Sequence, residues 1–498
     1  MKKKIYLIMI VCLVCSSVYA QKFTTAGIDY NVTSTIDKTV EVVEKYPDYR
    51  GSVTIPGTVL NSDNGIVYTV TKIGDYAFDG CYDLIIISMP NSINQIGYSS
   101  FQTCRKLSSI TLPNNLKSIG KSAFMDCELL TTMLLPESVE SIGNRAFLGC
   151  KNLVSVNIPP LVEKIEDYTF KGCSNLKSVI LPDKIWSIGY NAFASCVTLS
   201  SVTLPNSLKA IGTSAFGSCI ALKNITLPNS LLLIDYGAFA SSGLTSVTIP
   251  ESVIYLLDGA FSGCKNLVTA IIKSQIKELP TGFFNGCSSL NQVILPESIE
   301  LIGESAFGGC SSLTSFELPE STTYVGNYAF SSCSSLSYFY IPSGLIEFGY
   351  DALRWCEGLK KIVTKATTPP IVYGTTFDVI TKNTCILEVP PGSEILYKSM
   401  SYWKDFKNII VAGTGVEQIN DNSEIKLLRN NAIGVISIQL PTDKNNIDIF
   451  SANGKLILSI PNYSSGQSID TDPFASGVYL IKISCPDGRV CAGKFVKE

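Results

Sequence analysis

The stretch "AFGGCSSLTSFELP" (residues 306–319) recurs with small changes along most of the chain. Aligned on its Ala-Phe pair, the sequence repeats every 23 residues. Cysteine marks the beat at Cys81, Cys104, Cys127, Cys150, Cys173, Cys196 and Cys219, then at Cys264, Cys287, Cys310, Cys333 and Cys356. Ser242 holds the remaining place, in a copy one residue short. Phenylalanine and proline keep the same rhythm, and the unit reads C-x-x-L-x-x-I-x-L-P-x-S-V-x-x-I-G-x-x-A-F-x-x. About thirteen copies fit between Val53 and Thr364, the first and last degraded. A period this regular predicts a β-rich, right-handed solenoid, each coil burying its apolar side against the next.

Each letter of the unit carries an expectation. Leu313, Phe316 and Leu318 have the L-x-x-L-x-L spacing whose alternate side chains point into the tube. Pro319 closes the strand because it has no N–H for a ladder. Val325 turns inward on the return side, Gly326 permits a tight bend, and Ala329 and Phe330 fill the interior. The cysteines form a ladder at one phase of every coil, where a small, readily buried side chain fits. A disulfide framework is the rival reading in an exported chain. However, Ser242 replaces one member without disturbing the beat, as expected of a small-residue slot. The ladder is therefore read as structural free thiols.

Composition narrows the function. Of 498 residues 16% are charged, and the net charge is −3, giving no footprint for nucleic acid or an anionic membrane. Histidine is absent, which removes the commonest general base and every Ser/His or Cys/His nucleophile pair. No catalytic, metal or cofactor site is expected. Residues 1–20 ("MKKKIYLIMIVCLVCSSVYA") combine three lysines, a short apolar run and a small-residue end, and read as a secretory signal peptide. Cys12 and Cys15 each follow valine, a poor context for lipidation. No later segment is apolar enough to span a membrane.

The "AFxxCxxLxxIxLPxSVxxIG" unit resembles the leucine-rich repeats of BspA-like surface proteins, common in anaerobic Bacteroidetes and some parasites. The resemblance covers about two thirds of the chain. Departures lie at Glu166, Asp235 and Pro280, in place of the turn glycine, and at Lys273, in place of the strand-ending proline. The resemblance implies a cell-surface binding protein whose partners are host matrix proteins, host cells or other bacteria.

The flanks complete the organisation. Residues 21–52 alternate apolar and polar residues and are expected to cap the open end of the repeats at 53–364. Residues 365–411 keep core letters without the beat and read as the second cap, with Trp403 and Phe406 plugging the last coil. Residues 412–426 read as a linker. Residues 427–498 predict a small all-β sandwich with hairpins at Asn453-Gly454 and Asp487-Gly488. This unit resembles the type A sorting domain of type IX secretion cargo in Asp448, Gly454, Pro473, Gly477-Val478-Tyr479, Lys494 and Lys497. That implies handling by the type IX machinery, passage across the outer membrane, and a cell-surface or extracellular location. The redox states of Cys385, Cys485 and Cys491 stay open, with Cys485 and Cys491 able to pair across the last turn.

Binding is expected on the exposed strand face, where small hydroxyl residues form rows. Tyr338 and Tyr340 depart from those rows beside Glu317 and Lys361, and Trp186 departs on the return side. Aromatic residues on such a face are candidate ligand contacts. Two other functions compete with an adhesin-like role. One is a structural component of a surface layer or biofilm matrix. The other is a carboxylate hydrolase using paired acids such as Glu297 and Glu320.

Overall fold

The computed structural model describes residues 21–412 except 47 and 378, and 426–497 except 431–434, 441–443, 452–454, 466, 472, 476, 485 and 487–489. The signal peptide, most of the linker, both sorting-domain turns and Cys485 lie outside the described residues. The chain divides into two compact units, Met1–Thr414 and Gly415–Glu498.

In the first unit successive repeats stack as parallel strands in register, so that Ser178, Val179 and Ile180 pair with Ser201, Val202 and Thr203 one period on. A second ladder on the return side pairs two residues per coil, such as Ser187-Ile188 with Ala210-Ile211. The result is a β-solenoid of about 15 turns. That exceeds the thirteen counted from the beat because the second flank continues the ladder. Lys361–Thr364 pairs with Ile386–Val389, which pairs with Asn408–Val411. At the other end an antiparallel meander of Lys22–Thr25, Ile28–Ser34 and Thr39–Val42 joins the return ladder through Ile66–Ile73.

Leu313, Phe316, Leu318, Val325, Ala329 and Phe330 are all buried. The phenylalanines form an internal stack. From Phe78 to Phe261 neighbouring rings lie 5.0–5.5 Å apart and within 10° of parallel. Phe283 then takes the place of the usual small residue and meets Phe284 edge-on at 80°, which interrupts the stack.

The ladder cysteines are free and buried, but size is only half of their fit. From Cys104 to Cys356 each thiol donates to the phenylalanine carbonyl of the preceding coil at 3.1–3.3 Å. That oxygen already accepts the backbone N–H of its own coil's cysteine, as Phe101 does from Cys104. The thiol thus fills a second lone pair on a buried carbonyl, which a purely apolar side chain cannot do. Ser242 is buried in the same slot and shares a 3.4 Å contact with the thiol of Cys264. Cys385, outside the ladder, is also buried and free.

The reading of Gly326 is corrected. Its backbone is not left-handed; it lies so close to the coil beneath that a Cβ would sit 2.7 Å from Glu304 N and 2.8 Å from Gly303 C. The glycine is required for close approach between coils. The left-handed residues fall elsewhere, five residues and one residue before the cysteine, as at Tyr328 (φ 54°) and Ser332 (φ 63°). Leu257 is a further departure from the glycine slot that the sequence reading missed. In three of the four departing coils a glycine appears two residues on, Gly237, Gly259 and Gly282, at the left-handed position.

Neither ladder is continuous. The strand face breaks between Thr111 and Thr132, between Thr203 and Ser246, and between Ile294 and Ser315; the return face breaks between Ile142 and Lys164 and between Leu256 and Glu278. Several breaks coincide with departures from the unit. The short Ser242 copy lies at Thr203–Ser246, Leu257 at Leu256–Glu278, and a change of inward residue from Val293 to Phe316 at Ile294–Ser315.

The second unit is described separately. Its four-stranded antiparallel sheet runs Leu456–Tyr463, Asn445–Ser451, Gly477–Ser484, Val490–Lys497, and its three-stranded sheet contains Lys426–Asn430, Val435–Gln439 and Ser468–Asp470. Ile436, Ile438 and Ile469 from one sheet share a core with Ile447, Ile449, Tyr479, Ile481 and Ile483 from the other, which makes a sandwich. Cys491 pairs with Ile483 in its ladder.

Candidate functional site

Grooves open at three of these breaks. One of about 710 Å³ lies at the short copy, lined by Thr226, Asn229, Thr248, Glu251 and Lys273. One of about 410 Å³ lies on the return face around Glu163, Lys164 and Glu166. The third, of about 600 Å³, separates Gln292–Ile294 from Ser315–Glu317, and its lining includes Glu297, Glu317, Glu320 and Tyr340.

The third groove is where the sequence candidates converge. Strand register sets Glu317 opposite Tyr340, and Tyr338 opposite Lys361. The five-stranded sheet therefore brings Glu317, Tyr338, Tyr340 and Lys361 together on one face. Tyr340 and Glu317 line the groove, whereas Tyr338 and Lys361 stand beside it. Lys361 is engaged by Glu388 at 3.0 Å. Trp186 is not part of this cluster. It sits on the return side, six coils earlier, 47% exposed.

Both tyrosines are half-buried, so their expected exposure is corrected. Phe339 between them is fully buried. The Tyr340 hydroxyl donates to Glu320 Oε1 at 2.6 Å. Burial, then that hydrogen bond and charge, raise its pKa. Burial, then the charge of Glu317, raise that of Tyr338. Both rings therefore remain neutral hydrogen-bond donors at ordinary pH. Glu297 and Glu320, the acid pair noted in the sequence, come together here, the backbone N–H of Glu320 donating to Glu297 Oε2 at 3.4 Å. Both side chains are exposed.

Trp403 is fully buried, and its Nε1 donates to the carbonyl of Pro370 at 2.7 Å. It packs on Phe377, Tyr397 and Phe406. The sequence reading missed the partly exposed tyrosine pairs at the corner after the return strand. Tyr76 and Tyr98, and Tyr168 and Tyr190, meet edge-on at 4.9 Å, with Arg145 4.8 Å over Tyr168. They fall five or six residues before the cysteine, so tallying residues by repeat phase would have found them. Among the described residues no cluster of His, Cys, Asp and Glu suits a metal ion, and no helix is long and apolar enough to cross a membrane.

Comparison with known proteins follows the same division. The BspA type leucine-rich repeat region matches in six copies over residues 63–177, 140–268 and 258–375. A secretion system C-terminal sorting domain matches residues 430–498. No curated protein matches the chain. Among solved structures, a leucine-rich repeat protein from Bacteroides ovatus is similar at 32% identity and TM-score 0.59, over 68% of this chain and 94% of that one. A leucine-rich cell surface protein from Faecalibacterium prausnitzii is similar at 26% identity and TM-score 0.49, over 69% of this chain and 94% of that one.

Proposed function

The chain belongs to the BspA-type leucine-rich repeat proteins, and we propose that it is an adhesin-like binding protein that recognises macromolecules through the strand face of its solenoid. Its C-terminal sorting domain directs it through type IX secretion to the cell surface or the extracellular space. The observation that carries the reading is the groove at Ile294–Ser315. There the candidate residues Glu317 and Tyr340 meet on a rigid sheet beside Tyr338 and Lys361. Repeat arrays bind through such extended faces, built from side chains of successive coils. Its partners are host matrix proteins, host cells or other bacteria, in keeping with the family.

The binding is non-enzymatic. A carboxylate hydrolase needs one acid of a pair kept protonated in a dry environment, and both Glu297 and Glu320 are exposed. The test is a titration of the purified protein against matrix proteins, mucin and whole bacterial cells. Saturable binding that falls in Tyr338→Ala/Tyr340→Ala supports the proposal. Concentration-dependent self-association with no saturable partner would overturn it in favour of a surface-layer or matrix component.

A further inference from the structure

Four carboxylates elsewhere on the solenoid are each paired with a lysine one coil away. Lys106 meets Asp83 at 2.8 Å, Lys117 meets Glu140 at 2.8 Å, Lys151 meets Glu128 at 3.1 Å and Lys277 meets Glu300 at 2.7 Å. Each pair is separated by one period, so the two charges stack on adjacent coils. The groove between Ile294 and Ser315 differs from the other two, which carry Lys273, or Lys164 and Lys184, beside their acids. Its lining includes Glu297, Glu317 and Glu320 and no lysine or arginine. None of the three acids has an ion-pair partner among the described residues.

Two features shape the groove for a chain-like occupant. The strand ladder is interrupted between Gln292–Ile294 and Ser315–Glu317, so the groove lies along the strands with exposed Ile294 and half-buried Val293 and Leu295 among its apolar lining. The Tyr340 hydroxyl fixes one oxygen of Glu320, leaving the other carboxylate oxygen to accept from a ligand. A side chain with an apolar stem and a cationic head matches both surfaces, because lysine and arginine lay their methylenes on apolar groups and carry the charge at the tip.

We infer that the groove receives an extended basic segment of a partner protein, its lysine or arginine side chains meeting Glu297, Glu317 and Glu320. The inference rests on the proposed binding function and names the chemistry of its partner. Charge complementarity of this kind selects partners and speeds encounter, and the contact weakens as salt rises.

The test uses the full protein with two synthetic probes, a Lys-Gly-Ser repeat peptide and its Glu-Gly-Ser counterpart. The basic peptide is expected to bind saturably and the acidic one to give no binding. In Glu297→Gln/Glu317→Gln/Glu320→Gln the basic peptide's affinity is expected to fall at least about ten-fold, while Glu128→Gln/Glu300→Gln, which removes paired acids outside the groove, changes it less than about two-fold. Matching thermal melts confirm that both variants fold. An equal loss in the two variants, or no binding of the basic peptide, overturns the inference. If whole cells or matrix proteins still bind through Tyr338 and Tyr340 while the basic peptide does not, the binding function stands and only the basic partner is rejected. If nothing binds, both are rejected.

Discussion

The hydroxyl of Tyr340 donates to Glu320 Oε1 at 2.6 Å, joining a strand of one coil to the loop of the coil before it. The bond holds the ring and the carboxylate in one geometry at the mouth of the groove, so loss of the hydroxyl and loss of the ring are separable.

Tyr340→Phe keeps the ring and frees Glu320. Thermal stability is expected to change by less than about 1 kcal/mol, because the bond is near the surface. Partner binding is expected to fall less than in Tyr340→Ala, which removes both the contact area and the hydroxyl. Parallel melts and titrations of the two variants check this. Equal binding loss in both would assign the effect to the hydroxyl alone.

The thiol ladder predicts a pH limit. Burial raises Cys219 and Cys310 from the ordinary thiol value of 9.0 to about 12. The fold keeps these protons up to about pH 12, whereas the unfolded chain releases them above about pH 9. Their contribution to stability is therefore complete below about 9 and lost between about 9 and 12. Urea midpoints of the wild type are expected to drop more steeply across that window than those of Cys219→Ala/Cys310→Ala. At pH near 8 the native ladder is expected to resist iodoacetamide and to react only after unfolding, as read by mass spectrometry.

Packing of the ring stack predicts a large cost for its interior members. Phe147 is fully buried between Phe124 and Phe170, at 5.5 and 5.4 Å. Phe147→Ala is expected to cost about 3–5 kcal/mol by chemical denaturation. A cost under 1 kcal/mol would mean that the stack is not a continuous core.

Two glycines provide a matched pair. A Cβ on Gly326 would press on Glu304 N at 2.7 Å, whereas one on Gly344 would find its nearest neighbour, Glu320 O, at 3.8 Å. Gly326→Ala is expected to destabilise by about 1–3 kcal/mol through overpacking. Gly344→Ala is expected to be neutral, or stabilising by up to about 1 kcal/mol through the lost entropy of the unfolded chain.

Much of this was legible from spacing. A 23-residue beat carries the identity of each inward residue from coil to coil, so Leu313, Val325 and Phe330 needed only one coil to be read correctly. What spacing misses is contact between coils. The cysteine–carbonyl bond links residues 26 apart, such as Cys310 and Phe284, and a size argument sees only the small side chain. The role of Gly326 likewise depends on the neighbouring coil's backbone, which no single repeat contains. The groove was half visible: Tyr338 and Tyr340 stood out as departures from hydroxyl rows, beside Glu317 and Lys361, and Glu297 and Glu320 as an acid pair. Their meeting at a broken ladder required the register of three strands. Trp186 was already set apart in the sequence, by its place on the return side and by the coils between it and Tyr338.

The most direct test compares the two faces in one assay. Binding of the purified protein to mucin-coated surfaces and to whole bacterial cells would be measured for the wild type, Tyr338→Ala/Tyr340→Ala and Trp186→Ala. The account predicts that the strand-face variant loses saturable binding while the Trp186 variant keeps it. Loss in Trp186→Ala with the tyrosine variant unaffected would place recognition on the return face and contradict the account.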